Sequence, residues 1–189
     1  YQVQTYVADM VTLLARLDAD RVHWVGTSMG GLIGMTLASL PETPLQKLVL
    51  NDVGPVITAA SLARIGAYLG MAPQFPGFAA AVQYIRAVSA TFGAHSDAEW
   101  ATLTEHVTRR QPDGSYRMHY DPAIAVPFNA TTPDKDVELW PYYDAIRCPT
   151  LVIRGAVSDL LKRETLQEMS GRVPRAKTVE IPDVGMADR

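Results

Sequence analysis

One stretch near the amino terminus leaves the chain few ways to fold. Residues 21–26 (RVHWVG) are a short apolar run with β-formers, and they lead into Gly26-Thr27-Ser28-Met29-Gly30-Gly31. From Gly30 to Leu40 the sequence then reads as a helix packed on both sides, ending before Pro41. A buried strand must therefore turn sharply into a buried helix, with Ser28 at the apex. The small residues two before and two after that serine let neighbouring backbone come close. The apex of such a turn presents its side chain above the sheet, and the helix start aims its first N–H groups at the same place.

The rest of the chain fits a parallel sheet around this unit. Val3, Tyr6, Val7, Met10, Val11, Leu14 and Leu17 recur at spacings of three and four, which predicts a helix over 2–18. Residues 47–51 (KLVLN) form a second buried strand, ended by the turn chemistry of Asp52-Val53-Gly54-Pro55. A third buried strand is expected at 150–155 (TLVIRG), a helix at 162–170 and a fourth strand at 177–181. Between them, residues 58 to about 110 read as helices, with stripes around Leu62, Ile85 and Trp100 and breaks at Pro73, Pro76 and Gly77. Residues 111–148 are rich in Pro, Asp and aromatics and contain the turn signal Gln111-Pro112-Asp113-Gly114. Strand, helix, strand, inserted helices, strand, helix, strand is α/β order.

Charge and composition narrow the function classes. Hydrophobic residues make up 48% and charged residues 20%, which excludes disorder as a description of the whole chain. A net charge of −3 gives no basic footprint for nucleic acid. No apolar run approaches the ~18 residues of a membrane span. The single cysteine, Cys148, allows no intrachain disulfide and reads as a small buried hydrophobe, compatible with a cytoplasmic location. Of the four histidines, His23 lies inside the first strand and is expected to point into a helix–sheet interface. His95, His106 and His119 fall in the inserted region. No two have the spacing of metal ligands.

Gly26-Thr27-Ser28-Met29-Gly30 matches G-x-S-x-G, and placed after a strand and before a helix it resembles the nucleophile elbow of the α/β-hydrolase superfamily, in its esterase, lactonase and carbon–carbon hydrolase branches. The resemblance runs the length of the chain. It implies an α/β-hydrolase core at 1–56 and 141–189, with a mostly parallel sheet flanked by helices, and an inserted helical cap at 57–140. It implies Ser28 as nucleophile, the backbone N–H of Met29 as an oxyanion donor, and a small ester-like molecule as substrate, with water alone and no cofactor. Arg154-Gly155-Ala156-Val157-Ser158-Asp159 is similar to the family's R-G-x-x-S-D, which makes Asp159 the triad acid, with Asp52 as runner-up. An ordinary helix N-cap is the structural alternative for Asp159.

The third member of the triad departs from the pattern. Relatives end their last strand in a turn of the form G-H-A-P whose histidine is the general base, and here Met186 stands at that position. A thioether cannot take the serine proton at neutral pH. The family fold has about eight strands against the four expected here, so the resemblance implies a chain without the N-terminal strands and the closing C-terminal helix. It also leaves the strand at 22–25 with a bare, aggregation-prone edge. Two readings compete: a serine hydrolase impaired by Met186, and a non-catalytic homologue that binds a small apolar ligand. An interaction module with a chance elbow is a third.

Overall fold

The strand–turn–helix unit forms where its sequence requires it. A computed structural model describes residues 1–131 and 134–185. Helix α1 (Val3–Leu17) leads into β1 (Val22–Thr27), and α2 (Met29–Ser39) follows after Ser28 alone. Then come β2 (Leu45–Asn51), a long insertion, β8 (Thr150–Gly155), α8 (Arg163–Gly171) and β9 (Lys177–Ile181). The insertion holds β3 (Val56–Ile57), α3 (Ala59–Tyr68), β4 (Gln74–Phe75), α4 (Phe78–Val88), α5 (Asp97–Val107), β5 (Thr108–Arg110), β6 (Tyr116–Met118), α6 (Ala125–Thr131) and β7 (Val137–Glu138), and α7 (Trp140–Asp144) leads out of it.

The main sheet runs β1-β2-β8-β9, all parallel. Thr27, Asn51, Ile153 and Val179 stand in one register row across it. The C-terminal ends of all four strands therefore open on one edge, where ligands bind in open α/β sheets. Leu48, Leu50 and Val152 point from the sheet into a core with Met35 and Leu37 of α2, Tyr143 of α7, Ile146 and Met169 of α8. α1 lays Val3, Tyr6, Val7, Met10 and Leu14 against this core without fully burying any residue. The side chains of alternate parity face the opposite way, and there Val25 is 72% exposed, with Val179 and Ile181 also exposed.

The insertion carries more β-structure than its sequence predicts. Two small antiparallel sheets, β3-β7 and β4-β6-β5, join its helices. The turn at Gln111–Gly114 closes the β5–β6 hairpin: Gly114 has φ 85° and its N–H donates to Gln111 O at 3.0 Å. Phe75 and Trp100 are buried, Phe75 against Tyr84 and Trp100 beside His95. Among the described residues no helix is long and apolar enough to cross a membrane.

Candidate functional site

The end of β1 and the start of α2 share so little room that the backbone is forced. A Cβ on Gly26 would meet Gly30 O at 2.2 Å and Gly31 N at 2.5 Å, so only glycine fits. Ser28, between them, takes φ 51° and ψ −121°, a region that L side chains rarely occupy. Its N–H donates to Asn51 O at 3.2 Å, tying the apex to the next strand, while its own C=O accepts from Gly31 and Leu32. Trp24 Nε1 donates to Gly30 O at 2.9 Å and pins the first turn from below. Ser28 is half-buried and Met29, the first residue of α2, is exposed, so the hydroxyl and the helix start face the open edge.

Asp159 lies between β8 and α8, two strands along the same edge. It is no helix cap, because the N-cap of α8 is Lys162. The loop that carries it is held from inside by Arg154, which is only 5% exposed. Arg154 donates from Nε to Leu161 O (2.6 Å), from Nη1 to Ala156 O (3.1 Å) and from Nη2 to Ser158 O (3.0 Å), and pairs with Glu180 on β9 at 2.6 Å. Ser158 Oγ accepts from the N–H of Leu160 and of Leu161. One buried guanidinium thus fixes three carbonyls of a single tight loop. Arg154 and Ser158 both stand in the R-G-x-x-S-D stretch, but the pattern alone does not disclose these bonds.

Asp52 supports the same loop from β2. It is 5% exposed, has φ 53°, and its Oδ1 accepts from Gly155 N at 3.0 Å. Burial pushes its carboxyl above the usual carboxylate range, against the opposing pull of the Ser158 hydroxyl, the Gly155 N–H and the Arg154 cation. Its Oδ2 makes no hydrogen bond of ordinary geometry, although the Ser158 hydroxyl is close enough to favour the ionised carboxylate in part. Ser158 is thus a near neighbour of the carboxylate rather than a full partner.

The Asp159 carboxylate is engaged by the insertion. Arg64 on α3 stands with Nε at ion-pair distance, 2.6 Å, from Oδ2, and its Nη2 donates to Oδ1 at 2.9 Å. Ser61, one turn earlier, donates from Oγ to Asp159 O at 3.2 Å. No local sequence signal marks Arg64, since α3 is an ordinary amphipathic helix and the contact spans 95 residues.

Met186 lies outside the described residues. The chain just before it runs beside the acid-bearing loop: Val157 N donates to Val184 O at 3.0 Å, and Gly185 N to Thr91 O at 2.8 Å. A Cβ on Gly155 would sit 2.3 Å from Val184 O, so this approach is close. His23 is not in a helix–sheet interface. Strand β1 is an edge strand whose alternation turns Val22, Trp24 and Gly26 toward α2 and leaves His23 exposed on the other face. His95, His106 and His119 are exposed, and Cys148 is half-buried. Two open clefts lie away from this edge, one beside α1 and Pro44, the other around Phe92, His95 and His106. Among the described residues no group of three His, Cys, Asp or Glu could hold a metal.

Known proteins resemble this chain in sequence and fold. The 3-hydroxybutyrate-oligomer hydrolase of Cupriavidus necator is 48% identical over 99% of the chain and 66% of its own length. A crystal structure from Rickettsia typhi matches with a TM-score of 0.89 and 35% identity, over 99% of this chain and 63% of that one. An alpha/beta hydrolase from Novosphingobium aromaticivorans gives 0.87 and 33%, over 99% and 66%. E-2-(acetamidomethylene)succinate hydrolase, at 21% identity and a TM-score of 0.83, shares the fold. The chain thus spans just under two thirds of the length of the first three of these relatives. The alpha/beta hydrolase fold family matches residues 1–186, and with the strained serine turn and the parallel edge already in place, this chain belongs to that family.

Proposed function

We propose that this chain carries the machinery of a serine hydrolase acting on carboxylic esters, with short hydroxy-acid esters as the substrate class. The observation that carries the reading is Ser28 at positive φ on a strand–helix apex, at the same sheet edge as the braced Asp159 loop. The 48% identity to a hydrolase of 3-hydroxybutyrate oligomers supports the substrate class. Residues 57–140 act as a helical cap over that edge.

In this reading Ser28 Oγ attacks the ester carbonyl carbon. The new C–O bond pushes the carbonyl electrons onto oxygen, where the Met29 N–H and the start of α2 stabilise the charge. The serine proton goes to a base and from there to the departing alkoxide, leaving an acyl-enzyme that water cleaves by the same steps in reverse. Asp159 orients the base and stabilises its cation. The position for that base holds Met186, which cannot take the proton, so turnover in this chain is depressed.

The test is p-nitrophenyl butyrate hydrolysis by the chain, by Met186→His, and by Met186→His combined with Ser28→Ala. Loss of a triad member costs several powers of ten, so histidine should raise the rate at least ~100-fold and Ser28→Ala should abolish the gain. Equal rates in all three would refute the hydrolase reading and favour a ligand-binding homologue.

A further inference from the structure

We propose that Arg64 is the receptor for a free carboxylate on the substrate, and that Asp159 occupies it until such a substrate arrives. The inference rests on the ester-hydrolase reading and narrows its substrate class to esters that end in a carboxylate. A guanidinium fork can match the two oxygens of a carboxylate, and Arg64 already holds one: its Nη2 donates to Oδ1 of Asp159 at 2.9 Å, while its Nε stands at ion-pair distance, 2.6 Å, from Oδ2 without making a hydrogen bond. The Nε atom is sheltered from solvent, whereas the Asp159 side chain is 41% exposed. The carboxylate can therefore return to water when another takes its place, but the arginine cannot do the same as cheaply. The exchange swaps one anion for another and buries no new net charge.

Distance favours a short linker between the two groups. Ser28 follows β1 and Asp159 follows β8, and one strand lies between. Two strand spacings make ~10 Å. A carbonyl placed at Ser28 and a carboxylate placed at Arg64 are thus separated by about one or two short hydroxy-acid units. Arg64 also sits on the insertion, one turn from Ser61, which bonds the backbone of the same aspartate. Substrate capture would then have a second effect. Drawing Arg64 off Asp159 frees the carboxylate that has to serve the base, so the acid is masked until an anionic substrate is bound.

The experiment measures binding, which needs no turnover. Dissociation constants of (R)-3-hydroxybutyrate and of its neutral amide are determined by NMR titration of the full-length protein and of Arg64→Gln, Arg64→Lys and Asp159→Asn. A charged hydrogen-bond pair is worth about tenfold or more, so the native protein should prefer the anion by at least that ratio. The preference should collapse in Arg64→Gln and be partly kept in Arg64→Lys, which retains the charge without the fork. Asp159→Asn removes the competing anion and should tighten anion binding several-fold, a gain that a merely structural salt bridge would not produce. Equal affinity for anion and amide in the native protein overturns the proposal, even if Arg64→Gln fails to fold. So does weaker anion binding in Asp159→Asn. Ser28-dependent hydrolysis without anion preference would sink this inference and spare the hydrolase reading. Anion preference without Ser28-dependent hydrolysis would do the opposite.

Discussion

Replacing Ser28 by alanine and, in a second variant, by glycine removes the same hydroxyl but not the same Cβ. Ser28 holds φ at 51° with ψ at −121°, backbone that glycine adopts freely and that strains any L side chain. Holding a Cβ there costs about 1–3 kcal/mol. Glycine escapes that cost, but it has more freedom to lose on folding, about 0.5–1 kcal/mol. The difference leaves Ser28→Gly more stable than Ser28→Ala by about 1 kcal/mol. For a chain of this length that is a higher melting temperature by roughly 2–4 °C. Paired thermal unfolding, followed by circular dichroism at pH 7 and repeated in urea, measures the gap. Both variants lack the hydroxyl, so the comparison isolates backbone strain from chemistry. If Ser28→Ala equals or exceeds Ser28→Gly, the apex is relaxed and the argument from its dihedral angles is wrong.

Gly26→Ala should be far worse than an ordinary surface glycine substitution, because its Cβ would overlap backbone atoms of Gly30 and Gly31 that have no rotamer to escape into. A loss of about 3 kcal/mol or more in chemical unfolding is expected, and a loss below ~1 kcal/mol would mean that the turn has slack. Asp52→Asn should stabilise the protein at pH 7. Burial holds this carboxyl above its usual range, so its favourable, protonated form is present below the unfolded value near 3.8 and is lost as pH rises through the folded one. The advantage of asparagine in melting temperature should therefore shrink as pH falls toward 4; an advantage that grows in acid would contradict the burial argument.

How much of this was legible beforehand follows from where the signal resides. The four parallel strands are apolar runs bounded by Gly, Pro or Asp, and each forms within two residues of its expected limits. The elbow is legible because a short motif and its strand–helix context agree. The Gln111–Gly114 turn is legible because its chemistry is local. The two- and three-residue strands of the insertion are too short to carry a period, and their pairing is set by tertiary contact. His23 shows the limit of a one-dimensional reading: residues in a strand alternate between faces, but only the sheet order tells which face is covered. The grip of Arg64 on Asp159 joins positions 95 residues apart, and periodicity has nothing to say about such a pair.

The short ribbon of β3 and β7 has a consequence for how this scaffold can change over time. Val56 pairs with Glu138 and Ile57 with Val137, and Leu139 N donates to Pro55 O at 2.6 Å. The insertion thus leaves the sheet and returns to it through one clasp. Its ends are held together by the clasp and do not rely on its contents. Replacing the roughly eighty residues beyond the clasp with a loop of about ten would alter the entropy of ring closure by only ~2 kcal/mol, and in the favourable direction. Ser28, Asp52 and the Asp159 loop would stay on their strands, while Arg64 would leave with the exchanged segment. A lineage built this way can exchange the whole insertion in a single recombination event and keep the residues of its sheet edge in place.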